Sequence, residues 1–359
     1  MVSTFAGILR AEPTTLVSTI RDADTILDEQ ITGMLNRVQQ DRNILQSLFV
    51  DRETDLATAR VPLGGLDEGQ EIGPDGRPRE TYVGADVTAA FPMKRIGWSL
   101  GYNEEDFAKL TVAELGRQYN AKVVGNARRH MREIFQALLV KSNYTFPDPE
   151  KGDLSVRRLA NGDDRLYPLD GGEETDNHYL VSGFAAADIS AVNNPFAILA
   201  EEVREHFQID TRIVAFINQA QRGTVVEKLT TLVTTQVEGI TPALGAQTAN
   251  EPQMAVPGQF LGVDEASGVY IYVYDRVPAG YIIGGTVDEA RPLRRRVPGE
   301  LILRGFKVVD DEKHWPFYKK TWVERFGYGV ANPLGWGVVQ LKASGTYDTP
   351  AGIVPGLQA

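Results

Sequence analysis

The sequence predicts an α+β fold, and three observations carry that prediction. Its apolar patterns come in blocks: a helix, an extended ribbon, a long helix, a mixed region, then strand after strand. A ribbon with period-two alternation, too little to be stable alone, precedes a helical stripe about 40 Å long. The chain then nears its end on TWVERFGYGVANPLGWGVVQL (321–341). These are two aromatic runs interrupted by glycines, with no nucleophile, base or metal-ligand set among them.

The first block spans residues 14–49. Leu16, Ile20, Ala23, Leu27, Ile31, Met34, Val38, Leu45 and Leu48 are spaced mostly by three and four, like a heptad seam. Gly33 and Asp41 interrupt it. An amphipathic helix on its own domain and a partner-binding arm both fit this pattern.

The ribbon follows. In LATARVPL (56–63), Ala57, Ala59, Val61 and Leu63 alternate with polar residues and proline. In TYVGADVTA (81–89), Val83, Ala85, Val87 and Ala89 do the same. GGLDEGQEIGPDGRPRE lies between them, too long for a tight turn. A third strand, KRIGWSLGY (94–102), puts Ile96, Trp98, Leu100 and Tyr102 on one side. A ribbon of this kind buries too little apolar surface to offset its ordering entropy, so it needs something to lie on.

Thr111 and Glu114 have the form of a capping box. Behind them Val112, Leu115, Tyr119, Val123, Ala127, Met131, Ile134 and Leu138 keep helical spacing to about residue 140. The prolines of YTFPDPEKGD (144–153) close the helix, and short strands and turns occupy 144–181. Asn194-Pro195 opens a second helix, with Phe196, Leu199, Val203 and Phe207 as its buried stripe. RIVAFI (212–217) reads as a buried strand, residues 218–233 as a helix and 239–259 as a loop. FLGV, VYIYVYD, YIIGG, ELILRGFKVV and the closing pair read as strands.

Composition narrows the function. At 359 residues, with 42% hydrophobic and 24% charged residues, the chain can bury a large core. A net charge of −11 lacks the basic signature of a duplex-DNA reader, yet permits a protein that encloses nucleic acid without gripping it. There are no cysteines, which suits a reducing cytoplasm. No apolar run approaches the roughly 20 residues of a membrane helix, and no signal-peptide pattern opens the sequence. The expectation is a soluble chain.

Searches for chemistry find little. There is no P-loop, no G-x-G-x-x-G, no G-x-S-x-G and no H-E-x-x-H. Glu202 and His206 stand four apart, a metal-ligating spacing, but no third ligand is visible and a solvated helix face reads better. Asp163, Asp164, Asp170, Glu173, Glu174 and Asp176 form an acidic loop without the alternating order of a calcium site. Arg128, Arg129 and Arg132 lie on the long helix, and Arg294, Arg295 and Arg296 form a second basic cluster. Neither cluster is interleaved with stacking aromatics, so solvated faces or ion pairs to a neighbouring subunit are expected. No catalytic residue, cofactor site or metal site is expected.

Several stretches, in order, resemble the major capsid proteins of tailed bacteriophages, the fold first seen in phage Hong Kong 97. FPMKRIGWSLGYNEEDF is similar to the family's passage from extended loop to spine helix. YTFPDPEKGDLSVRRLANGDDRLYP resembles its peripheral-domain strands, and GVYIYVYDRVPAGYIIGGTVDEARPLRRR its axial-domain strands. TWVERFGYGVANPLGWGVVQL is similar to the closing strands that return to the peripheral domain. The resemblance covers about residues 50–342.

That resemblance implies a division of the chain: arm 1–50, extended-loop ribbon 51–102, peripheral domain 103–210 with spine helix 111–140, axial domain 211–305, return strands 306–345 and tail 346–359. It implies a virion shell of hexamers and pentamers around double-stranded DNA, assembled in the host cytoplasm without sequence-specific contacts. Scaffolding and portal proteins are implied partners, and a decoration protein is compatible. Ribbon contacts between subunits would use Leu56, Val61, Leu63, Arg77, Arg79, Tyr82, Val83 and Val87, with the ribbon's apolar side covered only by a neighbour. Arm contacts would use Leu16, Ile20, Leu27, Ile31 and Leu45, and ion pairs Arg294, Arg295 and Arg296. No segment of about 100 residues reads as a cleavable scaffold, so such a segment was removed or a separate protein serves. Some family members crosslink through a ribbon lysine, but no lysine precedes Lys94, so no such bond is expected. An encapsulin-type compartment holding a cargo enzyme is the nearest alternative, and a metal-dependent oligomeric enzyme using Glu202 and His206 a more distant one.

Overall fold

The computed structural model describes residues 46, 48–62, 86–169, 172–206, 212–233, 258–286, 291–312 and 317–353. Strand β1 (Val50–Thr54) leads to ribbon strands β2 (Thr58–Pro62) and β3 (Asp86–Ala90), then to β4 (Lys94–Asn103). Helices α1 (Glu104–Lys109) and α2 (Val112–Leu139) follow. Two hairpins come next, β5 (Tyr144–Asp148) with β6 (Gly152–Val156) and β7 (Asn161–Leu169) with β8 (Gly172–Asn177). Short β9 (Tyr179–Val181), helix α3 (Pro195–Arg204), β10 (Ile213–Ile217) and helix α4 (Gln219–Lys228) continue the chain. The remaining strands are β11 (Leu232–Val233), β12 (Gln259–Asp264), β13 (Val269–Val273), β14 (Tyr281–Thr286), β15 (Leu293–Arg296), β16 (Lys307–Glu312), β17 (Phe317–Val330) and β18 (Trp336–Gln340).

Helix α2 starts where its local chemistry dictates. The Thr111 hydroxyl accepts from the Glu114 amide, and the Glu114 carboxylate accepts from the Thr111 amide. Two donors with no partner inside the helix are thereby satisfied. Leu115, Tyr119, Val123, Ile134 and Leu138 are buried, as the stripe requires. Helix α3 is capped as expected too, with the Asn194 side chain accepting from the amides of Phe196 and Ala197.

Two sheets hold the chain. In the five-stranded sheet, β17 pairs with β16, with β4 along Phe317–Phe326 and with β15 along Gly327–Val330. Helix α2 packs against this sheet, with Tyr119 edge-on to Trp322 at 5.1 Å. The seven-stranded sheet runs β11-β12-β13-β10-β14-β18-β9. Its centre, β10, is buried on both faces. Ile213, Ala215 and Ile217 join the α3 side, while Val214 and Phe216 join the core containing Leu138, Phe49 and Trp336. That two-sided burial explains why IVAFI (213–217) is apolar throughout.

Two expectations need correction. The closing strands do not both return to the sheet beside the long helix. Strand β17 does, but β18 inserts between β14 and β9 of the other sheet, because the flat backbone at Gly284 and Gly285 accepts Gly337 and Trp336 as register partners. The apolar run ELILRGFKVV is not one strand. Leu301–Leu303 forms a 3-10 turn held by the Lys307 ammonium on the carbonyls of Leu301 and Ile302, and only then does β16 begin.

The glycines of β17 have a specific role. A Cβ at Gly327 would lie 2.0 Å from the Pro92 carbonyl oxygen, and one at Gly329 would lie 2.6 Å from the Ala90 oxygen. The segment joining β3 to β4 therefore crosses directly over β17, and only glycine lets the two backbones meet. A Cβ at Gly97 would meet nothing closer than 3.6 Å. Gly327→Ala should thus cost on the order of 1–3 kcal/mol in urea denaturation, while Gly97→Ala should be near neutral. Equal stability of the two variants would contradict the crossing.

Candidate assembly interface

The ribbon leaves the body from this crossing. Strands β2 and β3 pair antiparallel, Thr58 with Ala90 through Pro62 with Asp86. Their apolar side meets the chain's own residues: Val61 and Ala89 pack with Phe91 and Ala331, and Ala57 and Ala90 with Phe146, Leu154 and Val156. The expectation that a neighbour alone covers this side is corrected for the described base. Val61 is buried internally at 8% exposure, whereas Leu56 is 56% exposed and points outward. Val87 is placed on β3 by its backbone pairing with Val61. Leu63, Arg77, Arg79, Tyr82 and Val83 of the ribbon, and Leu16, Ile20, Leu27, Ile31 and Leu45 of the arm, lie outside the described residues. The arm's final residues, Leu48 and Phe49, are buried in the main core.

The three consecutive arginines are also corrected: each is paired within the chain. Arg294 lies 3.5 Å from Asp51, Arg295 binds Glu53 and Glu324, and buried Arg296 binds Asp148 and the Phe91 carbonyl. On β15 Leu293, Arg295 and Arg296 are buried, and Arg294 is half-buried. On the long helix, Arg129 pairs with Glu133, which also binds Lys94 at 2.7 Å.

Glu324 is the centre of this ionic network. Fully buried on β17, it accepts from Asn126 at 2.7 Å and His130 at 3.1 Å on α2, and from Arg295 at 3.0 Å on β15. The chain of bonds continues from Gln46 to the Tyr328 hydroxyl at 2.8 Å, and from there to His130 Nδ1. It closes with the His130 proton on Nε2, facing the carboxylate. Phe326 stacks on the imidazole at 3.6 Å. Burial would raise the Glu324 pKa, but the bond and charge of His130, the bond from Asn126 and the charge of Arg295 outweigh it and bring it to about 2.

Two surfaces around the ribbon base remain open. A cleft of about 620 Å³ is lined by Arg52, Arg60, Arg294 and Arg304, against Glu53 and Asp55, with Leu56 on its rim. Beside it in sequence, Leu301, Ile302, Val308 and Val309 are 76%, 74%, 43% and 54% exposed. They lie on and just before β16, which has no second strand partner among the described residues. Exposed apolar side chains at a sheet edge mark an interaction surface.

The two metal ideas fare differently. Glu202 is on α3, but His206 lies beyond its end, where Asp176 and His178 come to meet it. Among the acidic-loop residues, Asp163 instead pairs with Arg157 at 2.9 Å, and Asp170 lies outside the described residues.

No family model matches the sequence, and no curated protein matches it. Solved structures match its fold. One from Mycobacterium phage Patience has a TM-score of 0.67 at 18% identity, covering 96% of this chain and 97% of that one. The asymmetric unit of the bacteriophage PhiM1 mature capsid has a TM-score of 0.50 at 11% identity, covering 82% and 86%. The chain has the phage Hong Kong 97-like capsid fold.

Within this capsid fold the Glu324 network has a pH signature. Its folded pKa lies below its ordinary value of 4.5, so its stabilisation is complete above about pH 4.5 and lost as pH falls towards 2. The loss should be roughly 2–3 kcal/mol in urea denaturation across that window. Glu324→Gln should remove that part of the slope. An unchanged slope in the variant would contradict the ionised, buried carboxylate.

Proposed function

We propose that this chain is a tailed-phage major capsid protein, a structural protein rather than an enzyme. Many copies build hexamers and pentamers of an icosahedral virion shell around double-stranded DNA. The observation that carries this reading is the near-complete overlap, 96% of this chain and 97% of the other, with the structure from Mycobacterium phage Patience. In this reading the five-stranded sheet with α2 is the peripheral domain, the seven-stranded sheet is the axial domain, and the ribbon reaches a neighbouring copy.

The surfaces support that role. The arginine-lined cleft matches an acidic segment of a neighbour, and the exposed Leu301–Val309 region offers apolar contact beside it. Modest contacts repeated around every subunit stabilise a closed shell without one tight interface. A net charge of −11 lets packaged DNA move without adhering. Assembly takes place in the host cytoplasm, with scaffolding and portal proteins as partners and a decoration protein compatible with the outer surface.

Electron microscopy of the expressed chain tests this. Closed shells with hexameric and pentameric capsomers are expected, and particles from infected cells should contain DNA. A monomer at high concentration, or particles holding only a cargo protein, would contradict the proposal. Arg60→Glu with Ile302→Asp should leave unfolding stability within about 0.5 kcal/mol while sharply lowering shell yield. Denatured shells should run as single chains, since no ribbon lysine precedes Lys94. A covalent ladder traced to residues 51–93 would refute that last point.

A further inference from the structure

A buried cluster of two imidazoles and a carboxylate sits where β8, β9 and the end of α3 meet. Asp176 Oδ2 lies 2.7 Å from His178 Nε2 and 2.8 Å from His206 Nε2. The three side chains are 0–5% exposed, and the two rings stack with centroids 5.2 Å apart. Glu202, one turn before His206, approaches Asp176 together with Glu205, not the two imidazoles.

His178 is oriented by the fold. Its Nδ1–H donates to the Trp336 carbonyl at 2.8 Å, while its backbone amide donates to Ala160 and its carbonyl accepts from Val338. With Nδ1 committed to that carbonyl, Nε2 is the nitrogen presented inward. That nitrogen makes no hydrogen bond, although the carboxylate is close, because the oxygen lies off its axis. Two ligand atoms this close in a dry site need a proton or a metal cation between them. A carbonyl holding the remote nitrogen of an inward-facing imidazole is also the usual outer support of a metal-bound histidine.

We propose that Asp176, His178 and His206 bind one Zn²⁺ per chain. Two imidazole nitrogens and one carboxylate oxygen are a three-ligand set that zinc takes, with its fourth position left to water. Metal–ligand bonds of about 2.0–2.1 Å put ligands about 3.3 Å apart, so the observed spacing needs to open by only about half an ångström. The three ligand side chains are buried, which shields the ion from bulk water. Its ligands come from the β7–β8 hairpin, the edge of the seven-stranded sheet and the end of α3, so the ion fastens the hairpin to that sheet.

The test uses the full chain, stripped with a chelator and titrated with Zn²⁺ alone by calorimetry. One ion per chain is expected, with binding weakening at acid pH because protons compete for the imidazoles. His178→Asn combined with Asp176→Asn should weaken binding about 100-fold or more, while Glu174→Gln, exposed on the same strand, should leave it unchanged. X-ray absorption of the wild-type zinc form should show two imidazole nitrogens and oxygen donors, a readout that does not depend on the variants folding. Failure of the wild-type chain to bind Zn²⁺ stoichiometrically would overturn the proposal. So would unchanged binding in a folded double variant, or an absorption spectrum without imidazole ligands. Shell formation is not required for any of these outcomes, so they are separable from the capsid reading.

Discussion

The structure depends on one buried charge, Glu324. A carboxylate without water is costly unless its lone pairs are filled by charged or polar donors, and here each donor comes from a different part of the chain. Asn126 and His130 bring the long helix, and Arg295 brings β15 and, through Glu53, β1. Tyr328 and Gln46 extend the same network to the end of the arm. Helix, sheet and arm are therefore held in one relative arrangement by groups that cannot be satisfied separately. Apolar packing supplies most of the stabilisation around it, but an apolar contact tolerates sliding. An ionic hydrogen-bond network fixes position.

That fixed position determines where the ribbon goes. Its connecting segment crosses β17 at Gly327 and Gly329, just beyond Glu324 on the same strand. Arg296, next to the Arg295 of the network, binds the Phe91 carbonyl on the crossing segment and Asp148 on the β5–β6 hairpin. Ribbon base, hairpin and long helix thus share consecutive arginines on one strand. Under the proposed shell role, this rigidity would set the direction in which the ribbon base meets a neighbour. The split of the closing strands between two sheets has a related effect: β17 and β18 tie the two halves together by covalent continuity.

Much of the fold was legible because its signals are local. The capping box at Thr111, the Asn194-Pro195 start and the two-sided apolar IVAFI each involve neighbouring residues, and each forms as read. The destination of β18 was not legible. TWVERF and WGVVQL look alike as strands, and only the distant Gly284 and Gly285 decide which sheet receives the second. The arginine run read as surface because its partners Glu53, Glu324 and Asp148 are far away in sequence. Likewise Glu202 and His206 showed a ligand spacing, but Asp176 lay in an acidic loop and His178 looked isolated until the hairpin brought them in. The exposed Leu301 and Ile302 were taken for a strand, since hydrophobicity alone does not distinguish a core from an interface.

A double-mutant cycle between Glu324 and Arg295 tests the central claim most directly, with Glu324→Gln, Arg295→Gln and the pair compared by urea denaturation. If the buried pair positions the sheet against the helix, the coupling energy should be about 2 kcal/mol or more. Additive effects, with coupling below about 0.5 kcal/mol, would show that packing alone holds these elements and would contradict the account.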